Sequence, residues 1–253
     1  MLEIIILSAI QGITEFLPIS SSSHLILISK YFSFTNSSIT LDLSLHLGSL
    51  LAIITCFKKD IYNFTKNKKV FLKILISSIP TIIVGYFLVY FSLIDYLRNY
   101  ELIGWVTIFF GVLLYFGYLK KSTRSIKNDY NLKTAIYIGL FQILSLIPGV
   151  SRSGITITGA RFFNFNRIDS IKISFLMSIP TLGAVSVFNL KNIITQDNLE
   201  FSILNLISIT LSFFFSYLTI KFLLNFLKKF NFTYFALYRI LLGILILYNY
   251  YSL

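Results

Sequence analysis

Long apolar stretches alternate with short polar links along the whole chain. Six of the stretches are each close to the roughly 20 residues that a helix needs to cross a bilayer. They lie at about 40–57, 70–94, 101–119, 168–189, 201–221 and 232–251. The pattern predicts an all-α polytopic membrane protein with about six transmembrane helices, in which residues 1–253 form a single integral membrane domain.

Composition supports this class. The chain is 253 residues long, 56% hydrophobic and 13% charged, with a mean hydropathy of +0.79. A soluble protein of this size would carry far more polar surface. Its single cysteine, Cys56, excludes a disulfide within one chain and is expected to be a small buried apolar residue.

The positive charge of the chain follows the links between apolar stretches. The net charge is +12, and lysine and arginine are concentrated at 58–69, 120–133 and 228–229. Such links lie on the cytoplasmic side of membrane proteins and attract anionic lipids, so we expect membrane lipids as partners and no nucleic acid. The less basic segments 95–100 and 190–200 then lie on the outer side.

Two further apolar pieces, 1–30 and 134–160, are interrupted in the middle by a proline and small polar residues. Each is predicted to form a re-entrant pair of half-helices, in which proline ends the first half and serine caps the second. The first pair enters from outside and the second from inside. Two true short spans in each piece are the alternative.

Three spans follow each interrupted piece. This order predicts an inverted-topology repeat, which is common in transporters. The first repeat covers 1–119 and the second 134–253, with 120–133 as a cytoplasmic linker. The broken tips of the two pairs are expected to meet near the middle of the membrane, where irregular backbone must be buried or line a wet cavity.

Gln11 and Glu15 lie four residues apart, which places them on one face of a helix. An amide and a carboxylate in this arrangement could hold a divalent cation through oxygen atoms, or position a water molecule. A polar stripe that bonds to a neighbouring helix is the alternative. Because these residues interrupt the first apolar run, which has no basic segment before it, we expect this run to be retained rather than cleaved as a signal peptide.

Ser21 and His24 follow directly, three residues apart, within a run of four serines. On a helix that begins here they would share a face, with serine as nucleophile and histidine as base. Alternatively, serine only binds phosphate while histidine activates water. Four serines are also ordinary material for a loop or a helix cap.

The second break, from Pro148 to Thr156, predicts an anion site. Gly149 and Gly154 allow close approach of the backbone to a ligand, and Arg152 offers a planar fork of donors that suits phosphate oxygens. Arg152 could alternatively snorkel to the membrane interface or pair with a carboxylate.

Outside this motif, His46 with Asp42 is predicted to be a helix contact. Arg161 and Arg167 are predicted to act as topology signals, that is, as basic residues that mark the cytoplasmic side.

Four segments together resemble one known family. They are QGITEFLPISSSSH, LDLSLHLGSLLA, PGVSRSGIT and FALYRILLGI, in the order of the chain. The chain is similar, from about residue 7 to the C-terminus, to the undecaprenyl-diphosphate phosphatases of the BacA/UppP type. The PGxSRSxxT signature is highly specific for that family.

The resemblance implies an enzyme, a phosphoric anhydride hydrolase of the bacterial cytoplasmic membrane. It would convert undecaprenyl diphosphate to undecaprenyl phosphate and inorganic phosphate, recycling the lipid carrier of peptidoglycan and envelope polymers. It further implies bacitracin resistance, a site open to the outer side, and a divalent cation, Mg²⁺ or Ca²⁺. A homodimer is one expected assembly.

The resemblance also implies roles for individual residues. Glu15 would ligate metal with Gln11 or transfer a proton, and Ser21 and His24 would be the nucleophile or binder and the base. The diphosphate would be clamped by Arg152 and its neighbours Gly149, Ser151, Ser153 and Thr156.

Gln11 is a departure, because many members have glutamate there, and its loss removes one charge from a metal site. Ser22 and Ser23 also replace a more usual Ser/Thr-Gly pair. The competing function is a polyprenyl-phosphate flippase or transporter that uses the same anion site.

Overall fold

The computed structural model describes residues 1–32, 39–66, 68–93, 95–195 and 203–252. These ranges contain α-helices and two short 3₁₀ turns, and their one β contact is an isolated bridge between Arg124 and Phe165. The helices are α1 (Leu2–Thr14), α2 (Ser21–Phe32), α3 (Ile39–Cys56), α4 (Lys58–Lys66), α5 (Lys68–Tyr90), α6 (Tyr100–Leu119), α7 (Ile126–Asp129), α8 (Leu132–Ile143), α9 (Arg152–Phe162), α10 (Arg167–Thr195), α11 (Ile203–Lys229) and α12 (Thr233–Tyr251). The all-α prediction is confirmed. Residues 196–200 of the predicted outer segment lie outside the described ranges.

Five helices, α5, α6, α10, α11 and α12, are long and apolar enough to cross a membrane. They match five of the six predicted spans. The sixth predicted span, 40–57, is also helical, but its described part, Thr40–Cys56, is a shorter apolar helix. The chain is therefore a multi-pass membrane protein.

Two polar segments are more helical than expected. The basic link after residue 57 forms α4, whose Ile61 packs against the core while Lys58 and Lys59 are exposed. Helix α11 continues to Lys229 and so includes Lys221 and Lys228. Unbranched lysine side chains favour helix, so the span predicted at 201–221 was ended too early at its basic residues.

Each interrupted piece forms two short helices separated by a loop, as predicted. Helix α1 ends at Thr14 before Pro18, and α8 ends at Ile143 before Pro148. Pro18 and Pro148 have no N–H to extend the helical hydrogen bonds and would clash with the carbonyl groups of Thr14 and Leu144, which favours a break at both sites. Whether these pairs are re-entrant in a bilayer stays a prediction.

A serine with left-handed backbone ends each loop. Ser20 has φ 73° and Ser151 has φ 68°. The Ser20 hydroxyl accepts from the backbone N–H of Ser23 at 3.4 Å, and the Ser151 hydroxyl accepts from that of Gly154 at 3.2 Å. The predicted serine caps are confirmed, and the two loops share one capping geometry.

The two halves of the chain pack reciprocally. Helix α1 packs against α11 of the second half, and α8 packs against α5 of the first half. Glycines allow both contacts, since a Cβ at Gly12 would lie 2.9 Å from the backbone of Ser216 and one at Gly139 would lie 2.1 Å from that of Ser77. In addition, α3 packs on α10 and α6 on α12.

Basic residues gather at one end of the molecule. Arg161 is buried and donates to the carbonyl groups of Tyr118 (3.0 Å), Lys120 and Phe165, and to the hydroxyl of Ser122 (2.9 Å). It therefore ties the end of α6 to the end of α9, a structural role beyond the topology signal expected of it. Arg167 lies at the same end, where it donates to the carbonyl of Phe230 at 3.3 Å.

Candidate active site

A buried ion pair joins the two loops. Nη2 of Arg152, at the start of α9, lies 2.6 Å from Oε1 of Glu15, just after α1. The other carboxylate oxygen, Oε2, accepts from Nε2 of Gln11 at 2.9 Å and from the hydroxyl of Ser21 at 3.4 Å. Glu15 is only 8% exposed, so these donors stabilise a charge that is removed from solvent. Residues from both predicted segments therefore meet at one carboxylate.

Two further hydrogen bonds hold the loops together. The hydroxyl of Ser153 donates to the carbonyl of Leu17 at 2.8 Å, and the backbone N–H of Gly149 donates to the hydroxyl of Ser22 at 3.3 Å. Each bond crosses from one loop to the other. The site thus depends on both halves of the chain.

Helix α6 lies beneath both loops. The Ser23 hydroxyl is 3.2 Å from that of Thr107, and Gly149 lies against the same stretch of α6. A Cβ at Gly149 would be 3.0 Å from both the carbonyl of Ile103 and the Thr107 hydroxyl, and its φ of +98° is itself unfavourable for other residues. Only glycine fits this contact.

The Ser21–His24 pair expected from the sequence does not form a hydrogen bond. Nδ1 of His24 lies 2.7 Å from the carbonyl oxygen of Ser20, and Nε2 lies 2.6 Å from the hydroxyl of Tyr238. Ser21 instead points its hydroxyl to Glu15. The Glu15 carboxylate, rather than the His24 imidazole, therefore faces this serine.

The second loop uses most of its hydroxyl groups internally. Thr156 is fully buried, and its hydroxyl oxygen lies 2.8 Å from the carbonyl oxygen of Arg152 and 2.6 Å from the hydroxyl of Ser174. The hydroxyl groups of Ser151 and Ser153 lie 3.3 Å apart. Three of the residues expected to clamp a ligand therefore shape the loop that presents Arg152.

Arg152 keeps a donor for a ligand. Its Nη1 is buried and has no hydrogen-bond partner among the described residues. The N-termini of α2 and α9 also begin in the two loops, and their backbone N–H groups and dipoles favour an anion. The arrangement can therefore bind phosphate oxygens.

Two residues of α12, Tyr238 and Arg239, were not predicted to belong to the site. Arg239 is 1% exposed, and its Nη2 donates to the carbonyl of Gly149 at 2.8 Å. Its Nη1 lies 2.8 Å from where a Cβ at Gly154 would be. The signal was present in the sequence, because an arginine in the middle of the apolar run 232–251 is costly unless it is used.

The residues beside Glu15 fit a hard divalent cation. Glu15, Gln11 and Ser21 carry carboxylate, amide and hydroxyl oxygens, the ligand types that Mg²⁺ and Ca²⁺ prefer, although the Gln11 amide turns its Nε2 rather than its oxygen toward Glu15. Within the described ranges no three His, Cys, Asp or Glu side chains cluster as a complete metal site. One protein carboxylate together with substrate phosphates is an ordinary Mg²⁺ environment, so the donor set is compatible.

Comparison with known families assigns the chain to one family. Residues 4–245 match the family model described as bacitracin resistance protein BacA. The chain belongs to the BacA family. The match covers both loops, α6 and the Tyr238–Arg239 pair of α12.

Individual relatives match over nearly their full length. The chain is 50% identical to an undecaprenyl-diphosphatase of Pelagibacter ubique over 98% of both chains. It is 36% identical to one of Jannaschia over 96% of both chains, and 37% identical to one of Campylobacter curvus over 97% of both. The expected family is therefore confirmed.

Proposed function

We propose that this protein hydrolyses undecaprenyl diphosphate to undecaprenyl phosphate and inorganic phosphate, recycling the lipid carrier used for peptidoglycan and envelope polymers. The observation that carries the proposal is the Glu15–Arg152 pair with the Ser21 hydroxyl against the same carboxylate. It combines an anion-binding group, a base and a hydroxyl in one place. The names of the relatives supply the substrate.

Arg152 is the main phosphate-binding group in this proposal. Its unpartnered Nη1 and the converging N-termini of α2 and α9 support the assignment. Arg239 adds a second positive charge beneath the second loop. Catalysis of phosphoryl transfer consists largely of positioning the substrate and stabilising the charge on the phosphoryl oxygens, which these groups provide.

Glu15 uses its two oxygens for different purposes. Oε1 pairs with Arg152, while Oε2 faces the Ser21 hydroxyl and serves as the base. If Ser21 is the nucleophile, its oxygen bonds to the terminal phosphorus, its proton passes to Oε2, and undecaprenyl phosphate leaves with the electrons of the broken anhydride bond. Water then hydrolyses the phosphoserine.

A water molecule in place of Ser21 is the alternative nucleophile. In that route Ser21 only binds phosphate, and the terminal phosphate is released in one in-line step. Trapping of a phosphoserine distinguishes the routes, and inversion at phosphorus in a single step would contradict the covalent one.

In the alternative role of Glu15, which is to ligate metal instead of transferring a proton, Gln11, Glu15 and Ser21 would hold the divalent cation. When bound, Mg²⁺ or Ca²⁺ supplies positive charge that neutralises the diphosphate. Gln11 contributes an uncharged amide, so the substrate oxygens complete the neutralisation.

The proposed location is the bacterial cytoplasmic membrane, with the site open to the outer side. The gathering of basic links 120–133 and 228–229 at one end supports the orientation. The reciprocal packing of α1 on α11 and α8 on α5 supports the inverted repeats 1–119 and 134–253. Exposed aromatic and aliphatic side chains on α5, α6 and α12 support contact with membrane lipids, and a homodimer stays a prediction.

A flippase is the weaker alternative. It would need an anion site, but it would not need a hydroxyl held against a buried carboxylate. The test is phosphate release from a polyprenyl diphosphate by purified protein in detergent, with Glu15→Ala and Arg152→Ala measured in parallel. Folded wild-type protein that releases no phosphate, yet moves lipid across vesicles, would overturn the proposal.

A further inference from the structure

The two ring nitrogens of His24 have different partners. Nδ1 lies 2.7 Å from the carbonyl oxygen of Ser20, which can only accept a hydrogen bond, so Nδ1 carries the proton. In the neutral ring Nε2 then has a lone pair, and the Tyr238 hydroxyl at 2.6 Å donates to it. The tautomer of His24 is thus set by its own loop, and its free nitrogen faces a tyrosine.

Helix α12 holds that tyrosine firmly. Arg239, the next residue, is buried and donates to the carbonyl of Gly149. A Cβ at Gly104 would lie 2.6 Å from Leu247, and one at Gly243 would lie 2.5 Å from Ile108, so α6 and α12 are in close contact. Two adjacent residues of α12 therefore contact both halves of the site. Tyr238 contacts His24 on α2, and Arg239 contacts Gly149 in the loop before α9.

A phenol hydroxyl suits both protonation states of an imidazole. It donates to the neutral ring and, after rotation of its own proton, accepts from the Nε2–H of the imidazolium. Tyr238 is 43% exposed, so its hydroxyl lies where the site meets the surroundings. The ring of His24 can consequently change protonation without losing its partner.

We propose that Tyr238 is a positioning residue for His24, holding the ring between the Ser20 carbonyl and its own hydroxyl while His24 gains or loses a proton. The proposal rests on the proposed function and adds to it that His24, as well as Glu15, gains or loses a proton during diphosphate hydrolysis. It assigns to α12 a role in aligning the reactive groups of the first loop.

The chain offers an internal reference for this test. His46 is the only other histidine, and its Nδ1 likewise lies 2.8 Å from a backbone carbonyl four residues earlier, that of Asp42. Tyr234 provides a matched control one turn before Tyr238, since its ring packs against Phe226 and Phe230. Removing its hydroxyl changes α12 equally but leaves His24 untouched.

The experiment measures ¹⁵N spectra of histidine-labelled protein in detergent, with Tyr238→Phe and Tyr234→Phe compared with wild type. We expect the Nε2 resonance of His24 to move to higher frequency in Tyr238→Phe only, while that of His46 stays fixed. Phosphate release should show kcat lowered about fivefold in Tyr238→Phe, as for one lost hydrogen bond, with KM nearly unchanged.

An unmoved His24 resonance, or an unchanged kcat, in folded Tyr238→Phe would overturn the proposal. An equal shift in Tyr234→Phe would also overturn it, because the effect would then be a general change in α12. The resonances are read without substrate. Failure of the proposed function appears separately, as absence of phosphate release by the wild type.

Discussion

Nη2 of Arg152 and Oε1 of Glu15 lie 2.6 Å apart, although 137 residues separate them in the chain. Glu15 stands at the start of the helix break in the first half of the chain, and Arg152 stands at the end of the break in the second half. Neither charge has another opposite charge as close among the described residues. The pair therefore makes the folding of one loop depend on the other, and it makes the site a property of both halves.

Arg152→Ala should remove phosphate binding and leave Glu15 buried without its counter-ion. We expect activity to fall about 100-fold or more, and the free energy of unfolding to fall by about 3 kcal/mol because a buried charge loses its partner. Arg152→Lys keeps the charge but not the planar fork of donors. Its activity and its free energy of unfolding should lie between those of the wild type and Arg152→Ala. Phosphate release and thermal unfolding in detergent measure both effects.

Arg124→Ala is the matched control, since Arg124 is exposed in the linker. This variant should keep both the activity and the free energy of unfolding close to those of the wild type. Retention of near wild-type activity in folded Arg152→Ala would contradict the role of this arginine.

Gln11→Glu should strengthen the predicted cation site. A second carboxylate four residues before Glu15 adds the charge that the amide lacks. We expect the Mg²⁺ or Ca²⁺ concentration for half-maximal activity to fall about tenfold, and a chelator to abolish activity in both proteins until the cation is restored.

The control for this substitution is Asn99→Asp, which makes the same chemical change at the start of α6, away from Glu15. It should leave the cation dependence as in the wild type. Full activity in excess chelator would argue against a divalent cation.

Local sequence signals account for most of the fold. Apolar length predicted five of the long helices, and proline with serine predicted both breaks, because each of these effects acts within a few residues. The extension of α11 through Lys221 to Lys229 was missed because charge was taken as an end of the span, whereas the helix continues beyond it.

Contacts between distant segments were harder to predict. Glu15 and Arg152 were identified from their cost in an apolar setting, but their ion pair depends on how the halves pack. The same holds for Tyr238, whose partner His24 lies 214 residues away. Thr156 was expected to bind a ligand, yet its hydroxyl bonds to Ser174 within the protein, which depends on how α9 packs against α10.

Arg239→Met should separate function from stability. Arg239 is buried, its Nε has no partner, and no acidic side chain in the described ranges pairs with it. Replacing an uncompensated buried charge by an apolar side chain of similar length is often neutral or stabilising. We therefore expect the unfolding temperature to stay or rise, while activity falls about tenfold or more because Gly149 and the second loop lose their support.

Arg98→Met, at an exposed position, provides the comparison for Arg239→Met. Its activity should be that of the wild type. A large drop in the unfolding temperature of Arg239→Met would mean that the arginine chiefly stabilises the fold.

Glycine-to-alanine substitutions should distinguish the loop from the helices around it. Gly149→Ala places a Cβ 3.0 Å from the Ile103 carbonyl at a φ of +98°, so we expect a loss of about 1–2 kcal/mol or more in the free energy of unfolding. Gly154→Ala instead meets Nη1 of Arg239 at 2.8 Å, the end of a flexible side chain. It should therefore lower activity more than stability.

Gly183→Ala is the control, because nothing lies within 4 Å of its added Cβ and it sits within α10. Alanine favours helix over glycine by up to about 1 kcal/mol, so this variant should be as stable as the wild type or more so. The three unfolding temperatures should rank Gly183→Ala first, Gly154→Ala second and Gly149→Ala last. If Gly149→Ala unfolded at the same temperature as Gly183→Ala, the close contact between the second loop and α6 would not exist in the protein. Arg152 would then lack the rigid support that its position beside Glu15 requires.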